Sequence, residues 1–256
     1  MLEVRGLSKS FGGLKAVDDV SFAIAPRSIY AVIGPNGAGK TTLFNLITGI
    51  YVPTSGEIEF EGHGVAGLAA DQLARRGMCR TFQNLQVCMN MSAIENVMVG
   101  AHLALNQSLF AGMLRLPAVR RRDVDCRAES AELMAFAGVG RYVDAHASQM
   151  PYGALKRLEI ARALMAKPRM LLLDEPAAGL NDTETHEVDV LIQKLPATGV
   201  TVVLVEHDMK LVMNISDRIL VLDHGAKLAE GTAAEIRNNP EVIAAYLGAP
   251  AEGQST

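Results

Sequence analysis

No run of about 18 consecutive apolar residues occurs in this chain, which excludes a helix able to cross a bilayer. An excess of positive charge is missing too. Lys and Arg number 24 against 28 Asp and Glu, a formal net charge of −4, and this balance argues against a nucleic-acid binder. Cysteine is scarce: Cys79, Cys88 and Cys126 form no C-x-x-C pair, which points to reduced thiols filling small gaps in the core of a cytosolic protein. The opening residues Met1-Leu2-Glu3-Val4-Arg5 lack the architecture of a secretory leader. Internal repeats are absent, and no second histidine clusters with His207, which argues against a histidine metal site. The chain is nevertheless rich in apolar residues. At 49% hydrophobic over 256 residues it can bury a sizeable core.

The most informative stretch is Gly34-Pro35-Asn36-Gly37-Ala38-Gly39-Lys40-Thr41-Thr42, which fits G-x-x-x-x-G-K-[ST], a phosphate-binding loop. An apolar run (Ile29, Ala31, Val32, Ile33) precedes it and predicts a buried strand, while Thr42 to about Gly49 predicts a helix. Glycines let the backbone curl so that successive N–H groups face phosphate oxygens, above the positive end of the helix. Lys40 suits the β- and γ-phosphates as a mobile point charge, and the Thr41 hydroxyl suits Mg²⁺.

Around this stretch the pattern is α/β. Val17, Val20, Phe22 and Ile24 flank Gly12-Gly13 as strand positions. Phe11, before that pair, is either a platform for a purine or an ordinary edge contact. Glu57-Ile58-Glu59-Phe60 alternates as an exposed strand, and a short helix through Leu73, Arg75 and Arg76 stops at Gly77. Between about 86 and 154 helical spacing takes over, through Ile94, Val97, Met98 and later Leu133, Met134, Phe136 and Ala137. The reading is a core of about 1–85 and 155–256 with a helical subdomain inserted between them. Arg115, Arg120, Arg121 and Arg122 cluster around Pro117, either as a solvated face or as a contact for anionic headgroups or an acidic partner loop. A helix is expected from about Ala154 to Ala166, then the apolar strand Met170–Leu173 running into Asp174-Glu175-Pro176. Val188, Leu191, Ile192 and Leu195 mark an amphipathic helix closed by Pro196. Val200 to Val205 forms a further strand, followed by Glu206-His207-Asp208. A hairpin about Asp223-His224-Gly225, two short helices separated by Pro240 and a frayed tail from Ala251 complete the chain.

Adjacent carboxylates at the end of a buried strand suit two tasks. Asp174 can hold Mg²⁺, directly or through water, while Glu175 polarises an attacking water. His207 can sense or stabilise a γ-phosphate, although taken alone it reads as a structural histidine.

The set Gly34–Thr42, Gln83, Tyr152-Gly153, Leu171–Pro176, Gly179-Leu180-Asn181 and His207 resembles the ATP-binding subunit of ABC transporters, in family order along the whole chain. It is most similar to the ATPase subunits of branched-chain amino acid importers. Arg80-Thr81-Phe82-Gln83, Arg157–Arg162, Leu173–Asn181, Glu206–Met213, Ala245–Gly248 and the insert around Ser108–Arg122 carry that likeness. The resemblance implies a P-loop NTPase core with an N-terminal antiparallel β subdomain and an inserted α-helical subdomain. It implies a cytoplasmic ATPase held on the inner membrane by permease subunits, without direct contact with the cargo or with nucleic acid. Two subunits would face head to tail around two ATP molecules. Each site would take Lys40, Glu175 and His207 from one subunit and Tyr152, Gly153 and Asn181 from the other. Phe11 would stack on adenine, Val17 would join the nucleotide-binding set, and Gln83 with Thr41 and Asp174 would serve Mg²⁺. Two departures stand out. Met150-Pro151-Tyr152-Gly153-Ala154 aligns with the family's Leu-Ser-Gly-Gly-Gln, so the serine hydroxyl is missing, and Asn181 stands where aspartate is commoner. Other cargoes give the alternative readings, a urea or amide importer or a lipopolysaccharide exporter. A soluble non-transport ABC ATPase is more distant, and a non-hydrolysing module fits poorly with Glu175.

Overall fold

The computed structural model describes residues 1–103 and 117–247. In chain order the strands are β1 (Leu2–Phe11), β2 (Leu14–Ile24), β3 (Ile29–Ile33), β4 (Ser55–Phe60), β5 (His63–Gly64), β6 (Met78–Arg80), β7 (Met170–Asp174), β8 (Thr201–Val205), β9 (Arg218–Asp223) and β10 (Ala226–Gly231). The helices are α1 (Lys40–Ile47), α2 (Ala70–Arg75), α3 (Ala93–Val99), α4 (Pro117–Phe136), α5 (Tyr152–Met165), α6 (Asp182–Lys194), α7 (Met209–Ile215), α8 (Ala233–Arg237) and α9 (Pro240–Leu247). They fall into two compact units, Met1–Leu73 with Pro196–Thr256, and Ala74–Leu195. This is the mixed α/β architecture expected from the sequence, with helices dominating the middle of the chain.

In the first unit β1 lies antiparallel between β2 and β4, with Val4 opposite both Phe22 and Ile58. Period-two alternation buries Leu2, Val4, Val20, Phe22, Ile24, Ile58 and Phe60 on one side. Because Ile58 and Phe60 are buried, β4 is a half-buried strand rather than an exposed one. β3 lies parallel between β8 and β9, with Ile29 opposite Val202 and Ala31 opposite Ile219. β3 and β8 are buried along their whole length, which explains why both read as continuous apolar runs. β10 returns antiparallel to β9 through the expected hairpin. Tyr30 stacks on Phe22 at 5.6 Å and donates its hydroxyl hydrogen to Glu230 Oε1 at 3.0 Å.

The second unit holds the parallel pair β6 and β7, with Cys79 opposite Leu171, and helices α3, α4 and α5 packed on one another. Burial pushes the Cys79 thiol above its ordinary value. Cys126 is buried, but Cys88 is exposed, so the core role expected for all three cysteines fails there. The buried Asn96 amide replaces a core side chain: it accepts from the Cys88 amide and donates to the Cys88 and Ser92 carbonyls. Arg121 and Arg122 lie exposed on α4. Arg115, most of the Ser108–Arg122 insert, the Arg120 side chain and the tail from Ala251 lie outside the described residues.

Candidate functional site

The phosphate loop leaves the buried end of β3 and enters α1. Gly39 has φ of 97°, and a Cβ there would meet the Ala16 carbonyl oxygen at 2.4 Å, so only glycine fits this turn. Gly39 is also the N-cap of α1. It offers no side-chain cap, and no acidic residue occupies the first turn. The helix thus begins without a side-chain cap or a first-turn carboxylate to offset its positive dipole, conditions that favour an anion. Lys40 is buried and donates to the Gly34 and Pro35 carbonyls at 2.6 and 2.9 Å, which folds its ammonium back over the loop. The turn at Gly225 braces the loop by donating its N–H to Ala38 O at 3.1 Å.

A cavity of about 410 Å³ opens beside this loop, lined by Leu14, Lys15, Ala16, Gly37, Gly39, Thr41, Thr42, His224 and Gly225. Lys15 and His224 carry no motif, and only the packing of the β1–β2 and β9–β10 hairpins brings them here. Val17 does not reach the cavity. Strand alternation turns it into the core, fully buried, and its neighbour Ala16 lines the space instead. Phe11 stands exposed at the end of β1, with Tyr51 edge-on at 5.2 Å and the Lys9 ammonium over its ring at 5.1 Å from the centroid. The Tyr246 hydroxyl receives a hydrogen bond from the Gly34 amide, although its burial pushes its pKa up to about 12. β8 runs parallel to β3 with Val205 opposite Val32, so Glu206 and the exposed His207 emerge at the same sheet edge as the loop. Asp208 caps α7, accepting from Lys210 N at 2.8 Å.

The other motif residues lie in the second unit. β7 ends in Asp174, and Glu175 adopts φ of 49°, a left-handed conformation that costs energy for a residue with Cβ. Gln83 Nε2 donates to Glu175 Oε2 at 2.8 Å, and Arg80 pairs with Asp174 at 2.6 Å. Lys156 in α5 donates to the Gln83 carbonyl at 3.0 Å, which ties that helix to the Gln83 segment. The helix itself starts at Tyr152, two residues before the expected Ala154, and Pro151 at its N-cap offers no side-chain bond. Its Gly153 N–H is taken by Glu184 Oε1 at 3.2 Å. Glu184 also closes a capping box with Asn181 at the start of α6. Tyr152 stands exposed and packs on Gly179, where a Cβ would meet its ring at 3.3 Å. Arg80, Lys156 and Glu184 take part in these contacts beyond the expected residues. Of these, only the Asn181-x-x-Glu184 capping spacing was there to be seen.

A loop, lysine and uncapped helix end of this kind define a nucleotide phosphate site, and comparison with known proteins agrees. Residues 17–178 match the ABC transporter family model, so the chain belongs to that family, and it binds and hydrolyses ATP. Residues 226–252 match a second model, described as branched-chain amino acid ATP-binding cassette transporter. Two curated relatives are named high-affinity branched-chain amino acid transport ATP-binding proteins. BraF of Pseudomonas aeruginosa is 47% identical over 97% of this chain and 98% of its own length. LivG of Salmonella typhimurium is 49% identical over the same shares. Among solved structures, the ADP conformation of an ABC transporter cassette superposes with a TM-score of 0.83 at 28% identity, covering 97% of this chain and 98% of that one.

Proposed function

We propose that this ATPase energises an importer of branched-chain amino acids. It would work as one of two cassettes facing head to tail, on the cytoplasmic side of membrane permeases. The observation that carries the cargo class is the match of residues 226–252, at the far end from the shared ATPase motifs, to the branched-chain amino acid cassette model. Full-length likeness to BraF and LivG supports it.

In this reading the Gly34–Thr42 backbone and Lys40 hold the phosphates, and Phe11 stacks on the adenine. Glu175 is the general base and His207 answers to the γ-phosphate. Tyr152, Gly153 and Asn181 serve the partner's nucleotide. The residues also fit Mg²⁺. Among the described residues no three His, Cys, Asp or Glu side chains gather into a protein cage. The buried Asp174 carboxylate at the end of β7 and the exposed Thr41 hydroxyl in α1 are each a hard oxygen donor of the kind Mg²⁺ takes, and so few donors suit an ion carried in by phosphates. Gln83 is the remaining oxygen donor proposed for it. When bound, the ion supplies charge neutralisation at the phosphates.

The test is complementation of a strain lacking this gene. Wild type should restore leucine, isoleucine and valine uptake. Glu175→Gln should not, and its purified form should bind ATP normally while hydrolysing it about 10²–10⁴-fold more slowly. Unchanged uptake of these amino acids in the deletion strain, with urea or amide uptake lost, would overturn the cargo. Hydrolysis within about threefold of wild type would remove Glu175 from its role, being far below a general base's usual contribution.

A further inference from the structure

The adjacent carboxylates at the end of β7 are each met by a donor from the segment that leaves β6. Arg80 Nη2 lies 2.6 Å from Asp174 Oδ2, and three residues further on Gln83 Nε2 donates to Glu175 Oε2 at 2.8 Å. Both side chains of the ion pair are nearly dry, 8% exposed for Arg80 and 10% for Asp174. The strands impose this meeting. β6 and β7 are parallel with Arg80 opposite Leu172, so the long guanidinium arm reaches two residues further to the end of its neighbour. It is steadied there by the Phe82 ring, whose centroid lies 5.3 Å from Cζ.

A charge this far from water needs an opposite charge beside it, because the interior does not solvate it. Arginine supplies one that cannot be lost by deprotonation. Asp174 is also the carboxylate offered to Mg²⁺ under the proposed function, on which this inference rests. A guanidinium and a divalent ion compete for the same oxygen atoms.

We propose that Arg80 is a positioning residue for ATP hydrolysis, a built-in counter-cation. It holds Asp174 paired and aimed while no nucleotide is bound, and gives it up when the ion arrives with ATP. Arg80 thereby makes Asp174 a poor ligand for a free divalent ion, so the ion enters only with the phosphates. The Gln83–Glu175 bond beside it holds the neighbouring carboxylate from the same segment, so both are released or held together.

The experiment measures thermal midpoint and Mn²⁺ binding by electron paramagnetic resonance, on the full chain without nucleotide, for wild type, Arg80→Lys and Arg80→Met. Wild type should melt at the same temperature with chelator and with Mn²⁺. Arg80→Met should melt about 6–20 °C lower in chelator, the loss expected when a buried ion pair is broken in a chain of this size. It should regain most of that shift with Mn²⁺ and bind Mn²⁺ at least about tenfold more tightly than wild type, since an adjacent cation no longer competes. Arg80→Lys, which keeps the charge, should fall between the two. An Arg80→Met that melts like wild type, or whose loss Mn²⁺ does not restore, overturns the role; the second result would leave only a structural ion pair. Should Arg80→Met yield no folded protein, Arg80→Met/Asp174→Asn decides, because removing both charges together relieves the burial cost. Recovery near the wild-type midpoint supports the pairing, and failure to fold overturns it. Asp174→Asn separates this inference from the reading beneath it. If its ATP affinity keeps the wild-type Mg²⁺ dependence, Asp174 is not the ligand and the hand-over falls. If that dependence is lost while Arg80→Met ignores Mn²⁺, only Arg80's role falls.

Discussion

Three charged residues in the middle of α5, Lys156, Arg157 and Glu159, are all buried, and each is held by main-chain groups. Lys156 donates to the Gln83 carbonyl and Arg157 to Gly138 O at 3.1 Å, while Glu159 accepts from the Gln86 amide at 3.2 Å. Arg157 also pairs with Glu187 at 2.7 Å. Burial raises the Glu159 carboxyl above its ordinary value, more than the Gln86 bond and the nearby Arg162 and Lys156 lower it. The sign of the consequence follows. A folded-state value above the unfolded one means the native protein binds this proton more tightly, so Glu159 costs stability as pH rises through the unfolded value near 4.3 and on to the raised folded one. Glu159→Gln keeps an oxygen for the Gln86 amide and cannot ionise. Its midpoint should gain on wild type as pH rises from about 4 to 7, where the unfolded carboxyl ionises. Parallel melting curves across that range would show that Glu159 is ionised at no cost.

Between elements, the strongest local dependence joins the start of α5 to the start of α6. α5 has neither a side-chain cap nor an acidic residue in its first turn, and Glu184 of α6 fills that need at Gly153. Glycine is required for this approach, since a Cβ at 153 would sit 2.6 Å from the Glu184 carboxyl carbon and Oε1. Pro151, standing where the family's serine would be, is thus offset by a carboxylate from another helix. Glu184→Ala should lose about 1–3 kcal/mol, because it removes the carboxylate half of the α6 capping box from the Asn181 N–H and strands the Gly153 N–H. Gly153→Ala pushes the same carboxylate away, so the double variant should cost clearly less than the two singles added. Urea midpoints of the four proteins check this, and strict additivity would show that the two helix ends are independent.

At the scale of the molecule, no helix among the described residues is long and apolar enough to cross a membrane. Under the proposed function, permease subunits hold the chain at its membrane. Expressed alone, the chain should fractionate away from membranes; co-expressed with its permeases, it should move to them. Tight, salt-resistant membrane binding without permeases would sink that picture. It would instead favour direct headgroup contact by Arg121 and Arg122, which α4 leaves exposed.

Read alone, the sequence determined whatever is written in short-range chemistry. The run Gly34–Thr42 specifies its own turn because glycines, a lysine and a helix start suffice at that spacing, and the apolar runs of β3, β7 and β8 declare their burial by composition. α6 was visible in its apolar stripe, and its polar first turn in the Asn181-x-x-Glu184 spacing. Other features depend on partners distant in the chain. β6 is three residues long and exists because β7 lies beside it. Val17 looks like any strand residue until the register with β1 turns it inward, and Lys15 and His224 reach one cavity only when two hairpins pack. The buried charges of α5 carry no apolar signature, since main-chain carbonyls and an amide from elsewhere satisfy them. Arg80 stands 94 residues from Asp174 along the chain. A local pattern cannot encode an ion pair of that span; parallel pairing of two buried strands decides it, because it sets which side chains meet at the strand ends.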